Sequence, residues 1–135
     1  MSGPRTGRRE DERGSAVVQH VLVLSLLLVI ALGVIQVTLL VHARAIVVAS
    51  AAEGARAAAG VGTDPASGGP AAERVVRGAL SRSYAQGLHC TGSTESVRGL
   101  DEVTVVCSGP IPLRILGLGA VSISVRGHAV REEQP

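Results

Sequence analysis

The chain has 135 residues, of which 13 are basic and 11 acidic, and the resulting net charge of +2 is too small to argue for a nucleic-acid partner. Tyr84 is the only aromatic residue, with no Phe and no Trp, so any core must be assembled from Val, Leu, Ile and Ala. A pocket walled by aromatic rings is excluded. All the basic residues are Arg, which we read as base composition of the coding DNA more than as chemistry.

Residues 1–14 are polar, rich in Gly and Arg, and without apolar periodicity, and they read as a flexible leader. From Ser15 to Ala59 there is no proline, and the Ala, Val and Leu content favours one long helix over residues 15–59. Within it, Val21 to Val41 holds no charged residue and is interrupted only by Ser25, Gly33, Gln36 and Thr38. At about 1.5 Å per residue this stretch spans roughly 31 Å as a helix, matching a hydrocarbon layer of about 30 Å. Membrane lipid is therefore the first expected partner. Arg5, Arg8, Arg9 and Arg13 precede the span, against Arg44 and Arg56 after it. That bias places the N-terminus in the cytoplasm and the rest outside in a single pass, although Glu10, Asp11 and Glu12 dilute the leader's charge.

Beyond His42 the helix turns polar on part of its surface through Arg44, Glu53 and Arg56, so it should project into solvent or into a partner. Glu53 and Arg56 stand one turn apart, an exposed ion pair contributing about 0.2–0.5 kcal/mol and no catalysis. Val34, Thr38, Val41, Ala45, Val48, Ala52, Ala55 and Ala59 alternate at spacings of four and three, a helix-packing period. Small residues along such a seam let another helix backbone approach closely. The bland alternative is that alanine is simply common in this chain.

Gly60, Gly62, Pro65, Gly68, Gly69 and Pro70 mark residues 60–72 as a linker that ends the helix. Glu73 to Leu88 places Val75, Val76, Ala79, Leu80 and Tyr84 on roughly one face, opposite Arg74, Arg77 and Ser81, which predicts a short amphipathic helix despite Gly78. Val103, Val105 and Cys107 alternate with Thr104, Val106 and Ser108, and Val121, Ile123 and Val125 alternate with Ser122, Ser124 and Arg126. Period two means strands. Gly109 to Gly119 is too broken by Pro110, Pro112, Gly117 and Gly119 for a central strand. The expectation is an α+β chain: a long N-terminal transmembrane helix continuing outside the membrane, then over residues 73–131 a small external domain with a short helix and a two- or three-stranded antiparallel sheet, and a tail at 132–135.

Cys90 and Cys107 would lie in a compartment where a disulfide persists, closing a loop worth on the order of 3 kcal/mol. A zinc site with His89 and His128 is the rival reading, without the paired spacing that makes such sites recognisable, and free thiols are the third.

The segment Arg13-Gly14-Ser15-Ala16-Val17-Val18-Gln19-His20, directly ahead of the apolar run, resembles the processing site of type IV pilin-like proteins. In that family a short basic leader ends in Gly and is cut after it, which puts the implied cut between Gly14 and Ser15. With Leu22 to Leu32 and Ala51-Ala52-Glu53-Gly54-Ala55-Arg56, the ordered set over about residues 9 to 60 is similar to TadE-like proteins, pilin-like subunits of tight-adherence pilus systems. The resemblance implies a prepilin peptidase, an inner-membrane assembly platform and other pilin-like subunits as partners. It also implies an assembly position at the fifth residue after the cut, where the family usually has Glu followed by an aromatic residue and this chain has Gln19 and His20. Gln keeps the hydrogen-bonding atoms and loses the ion pair to a neighbouring subunit's amine, which suggests a minor or initiating subunit.

Ser, His and acidic residues are scattered, and the glycines of Gly60 to Gly69 precede no P-loop Lys, so neither an enzyme, a cofactor, a metal nor a small-molecule substrate is expected. Arg8-Arg9 is followed by Glu10, Asp11 and Glu12, a poor twin-arginine signal. Ile111 to Leu118 either closes the domain core or touches the outer leaflet or a neighbouring subunit. Two alternatives to the pilin-like reading remain: an uncleaved signal-anchored scaffold or accessory protein, and a secreted protein cut after Ala43-Arg44-Ala45. The second is weakened by an apolar run longer than a signal peptide's about 7–15 residues.

Overall fold

The computed structural model describes residues 8–113, 117 and 119–132, with side chains from Gly14 onward. The elements are α1 (Arg8–Ala59), a 3-10 turn (Pro65–Ser67), α2 (Gly68–Ala79), α3 (Arg82–Ala85), β1 (His89–Val97), β2 (Leu100–Pro112) and β3 (Ala120–Val130). The fold is α+β, with a long apolar N-terminal helix followed by a small domain holding short helices and a three-stranded antiparallel sheet. Two compact units divide the chain, Met1–Val37 and Thr38–Pro135.

The first unit is the N-terminal part of α1. It begins at Arg8 and not at Ser15, because the Arg and Glu residues of this stretch are good helix formers and Gly14 alone costs only about 1 kcal/mol. The reading of residues 1–7 as part of a flexible leader lies outside the described residues. From Val17 to Ile35 the large apolar side chains, except the half-buried Leu32, stand exposed on the helix. The Ser25 hydroxyl donates to the Val21 carbonyl at 2.8 Å, so that polar group is satisfied within the helix.

In the second unit the C-terminal part of α1 packs with α2 and the sheet. Asp64 caps the 3-10 turn by accepting from the Ala66 N–H at 3.0 Å, with Pro65 at the first position. The helical path continues directly into α2, which therefore starts at Gly68, inside the run read from sequence as a linker. Pro70 falls in the first turn of α2, where an N–H has no intrahelical partner to lose. Gly54 and Gly68 face one another, and a Cβ on Gly54 would sit 2.8 Å from that of Ala72, so glycine permits the α1–α2 approach. The amphipathic helix expected over 73–88 is broken: α2 stops at Ala79, Leu80 is extended, and Ser81 accepts from the N–H groups of Tyr84 and Ala85 to start α3.

The sheet order is β1-β2-β3. Val97 pairs with Leu100 across a two-residue turn in which Arg98 has φ 55° and Gly99 φ 82°, the left-handed pair a tight hairpin requires. Val103, Val105, Cys107 and Ile111 of β2 point into the core with Val125 of β3. β2 runs on to Pro112, through the segment expected to be too broken for a central strand. β1 begins opposite Ser108, so residues 109–112 pair with β3 alone, and a strand with one neighbour tolerates proline. Ile111 is fully buried, which agrees with the core reading at that residue, while 114–116 and 118 lie outside the described residues.

Candidate functional site

The chemistry-poor composition directs attention to surfaces, and α1 carries three of them. One is the exposed apolar girdle that continues to Val37, Leu39 and Val41. Among the described residues, one helical stretch, Gly14–Ala59, is long and apolar enough to cross a membrane. Gly14, Ser15 and Gln19 are exposed on this helix, ahead of the girdle, and no heavy atom lies within 4 Å of a Cβ placed on Gly14.

The second surface is the face that α1 turns into its own domain. Ala43, Val47, Ala51, Ala55, Ala58 and Ala59 are buried there with Ala72 and Val76 of α2 and the inner face of the sheet. Ser50, also buried, donates to the Ile46 carbonyl at 2.8 Å. The alanines have a specific purpose: a Cβ on Gly127 of β3 would collide with the backbone of Ala51 and Ala52, so the sheet lies almost directly on the helix.

The third surface is what remains of the sequence-derived seam. Ala55 and Ala59 belong to the internal face, 0% and 4% exposed. Val41 is 62% exposed and Val48 40%, Ala45 is exposed and Ala52 half-buried. At about 100° per residue, Val41, Ala45, Val48 and Ala52 form a strip centred roughly 110° around the helix from Val47, Ala51 and Ala58. The structure thus splits the eight-residue seam between the domain core and an open strip.

Cys90 and Cys107 are directly opposed in the β1–β2 register and joined by a disulfide. Both sulfurs are taken up by the bridge and are not available to the rival zinc arrangement. Glu73 ties α2 to the same place, accepting the Cys90 N–H at 3.0 Å and standing 3.6 Å from Arg77. Glu53 and Arg56 make their exposed pair at 3.4 Å.

Three features were not legible in advance. Glu73, Arg77, Arg82, Gln86, Leu88 and His89 line a cleft of about 460 Å³ that arises only because α2 and α3 are separate helices. Thr104, Glu102 and His128 meet on the outer face of the sheet, His128 Nδ1 lying 3.1 Å from the Thr104 hydroxyl and 3.7 Å from the Glu102 carboxylate. Gln36, inside the charge-free run, is 7% exposed, and its Nε2 has no hydrogen-bond partner among the described residues.

Residues 14–56 match the family model described as TadE-like protein. No curated protein and no solved structure matches the chain. The matched stretch lies within the helix that carries all three surfaces, and over those residues the chain is similar to TadE-like proteins.

Proposed function

We propose that this chain is a single-pass membrane subunit of a tight-adherence or type IVb-like pilus, in a minor or initiating position, working by helix-helix packing. The carrying observation is the apolar girdle of α1, exposed from Val17 to Val41 and coinciding with the TadE-like match. An exposed apolar surface of that extent needs lipid or other apolar helices around it. The Arg bias orients the N-terminus to the cytoplasm and the domain outside. A prepilin peptidase then cuts between Gly14 and Ser15, where glycine lowers the local cost of opening the helix by about 1 kcal/mol relative to alanine. The strip Val41, Ala45, Val48 and Ala52 receives the helix of another pilin-like subunit, on an inner-membrane assembly platform.

Gln19 carries the minor-subunit role. A neutral amide in the place of the usual Glu removes the charge that would pair with an incoming subunit's amine, so the chain joins a filament without recruiting the next copy in the same way. If Gln19→Glu and the wild type enter pili in equal amounts and at the same positions, this role fails.

N-terminal sequencing of the membrane-associated protein tests the reading. Ser15 as first residue is expected. Met1 favours an uncleaved anchor protein, and Ile46 a secreted one. The continuous helix through Ala43-Arg44-Ala45, with Ala43 buried, supports the membrane-held chain over the secreted one.

A further inference from the structure

The two ends of the β2–β3 ladder fix which backbone groups face outward. One step beyond the register at one end, the Leu113 N–H donates to the Gly119 carbonyl at 2.8 Å, and one step beyond it at the other, the Arg131 N–H donates to the Asp101 carbonyl at 2.9 Å. Bonded and non-bonded pairs alternate in an antiparallel ladder. The residues of β3 bonded to β2 are therefore Val121, Ile123, Val125, Gly127 and Ala129, and the N–H and C=O groups of Ala120, Ser122, Ser124, Arg126, His128 and Val130 turn away from β2. On β1 the same alternation turns the backbone groups of Cys90 and Gly92 outward, and the 3.0 Å bond from the Cys90 N–H to the Glu73 carboxylate agrees with it.

The two edges of the sheet differ. α2 and the 3-10 turn close the β1 edge: Glu73 takes the Cys90 N–H, and a Cβ on Gly92 would fall on the Pro65 carbonyl, which leaves only Thr94 and Ser96 facing outward, beside Glu95. The β3 edge is closed where Glu132, next in the outward series, donates its N–H to the Ala59 carbonyl. From Ala120 to Val130, among the described residues, no backbone group outside β2 bonds to the strand. Natural proteins blunt a long open edge with charge, proline or a bulge. Residues 120–125 have none of these, since their register with β2 is uninterrupted and they include neither a charged residue nor a proline. Val121 is exposed and Ile123 half-buried on the face that carries the buried Val125, while Ser122 and Ser124 stand exposed on the other. Arg126 follows on that second face, exposed and without an ion-pair partner among the described residues.

We infer that the β3 edge receives an extended segment of a partner protein as a fourth strand, a segment in which Val, Ile or Leu alternates with Ser or Thr and an acidic residue passes Arg126. Main-chain hydrogen bonds to the outward groups of Ala120, Ser122, Ser124 and Arg126 hold the segment, as in other cases of strand addition to an open edge. Its apolar side chains continue the layer of Val121, Ile123 and Val125, and its acidic residue pairs with the Arg126 guanidinium. Every residue involved lies within the unit Thr38–Pro135.

Amide exchange reads the inward and outward residues of β3 separately. The full-length chain in detergent is mixed with the synthetic peptide Glu-Val-Ser-Ile-Ser-Val-Glu, whose two acidic ends bring a carboxylate to Arg126 in either strand direction. The amides of Ser122, Ser124 and Arg126 should exchange fast in the chain alone and slow about tenfold when the peptide is at about ten times its Kd, while those of Ile123 and Val125, already bonded to β2, should be slow in both. Ser124→Pro removes an outward N–H and no bond to β2, so it should leave protection at Val105 unchanged and weaken the peptide about tenfold. Two peptides N-methylated on alternate amides, offset by one residue, test the same bonds from the other side: one should bind and the other should not. No slowing at 122, 124 and 126, or equal binding of the two methylated peptides, overturns the edge as a strand acceptor. Slowing at these amides that arises without peptide and grows with protein concentration makes a second copy the occupant and overturns the assignment to a partner protein. Equal binding of a peptide with Gln at both ends overturns the role of Arg126.

Discussion

Reducing the Cys90–Cys107 bridge should remove most of the stability of the C-terminal domain. The bridge joins residues 17 apart in sequence, and in the chain-entropy account a closed loop of that size contributes about 3 kcal/mol by restricting the unfolded chain. A domain this small, with a core of Val, Ala and a few larger residues, rarely holds more than about 3–5 kcal/mol without such a staple. At about 4–8 °C per kcal/mol, the loss corresponds to a fall in midpoint of roughly 12–24 °C. Calorimetry of the full-length chain in detergent, oxidised and then kept reduced, measures this directly, and amide exchange at Val105 and Cys107 separates sheet opening from the persistent helical signal of α1. The reduced wild type keeps both sulfurs in the core, so it isolates the cross-link. The double substitution Cys90→Ala with Cys107→Ala also removes packing at a fully buried site, and should cost about 1 kcal/mol more. Midpoints of oxidised and reduced protein within about 2 °C of one another would refute the reasoning, since the entropy term would then be absent or offset by native-state effects.

Gly127→Leu drives a side chain into the α1 backbone at Ala51 and Ala52, and should destabilise the domain by more than about 3 kcal/mol, seen as loss of protection at Val125 and Val105. Ala45→Glu, on the open strip, should change the stability of the domain by less than about 0.5 kcal/mol while abolishing co-isolation with pilin-like subunits. Retained co-isolation would remove the strip from the assembly surface. A chain beginning at Gly60 should show no cooperative sheet, because Val47, Ala51, Ala55 and Ala58 are part of its core, whereas one beginning at Thr38 should fold.

The long helix was legible because its signals are cumulative: dozens of good helix formers without proline, and a run from Val21 to Val41 without charge. β2 and β3 were legible for a similar reason, Val103, Val105 and Cys107 recurring with period two because they share the face of the sheet that packs on the helices. β1 was not. Its sequence, with Thr91, Gly92, Ser93, Thr94 and Glu95, is exposed along most of its length and is held as a strand by its hairpin and by the bridge at Cys90, neither of which leaves an apolar period to read. Residues 68–72 were hidden by the opposite effect. Two glycines and a proline look like a breaker, yet the glycines are demanded by contacts with α1 and β1 that only the folded chain reveals. The cleft beside Arg77 and Arg82 depends on the bend at Leu80, a local extension that no periodicity announces.

Alanine is where sequence reasoning and structure part most instructively. A period of 3.5 along α1 identifies a stripe, but it cannot say which of several alanine stripes a neighbour occupies, since Ala51, Ala52, Ala55, Ala58 and Ala59 together offer small surfaces over much of the circumference. The sheet selects one of them through Gly127, and α2 selects the adjoining one through Gly68. What the domain leaves uncovered of the seam is set by subtraction, and it includes Val41, Ala45, Val48 and Ala52, two of them larger than alanine. The strip alternates Val and Ala and is backed by the core of the domain. The same subtraction explains why the domain needs the helix: without aromatic side chains to fill volume, close backbone approach is the remaining way to build a dense core, and that approach requires the long helix to serve as one wall of the domain.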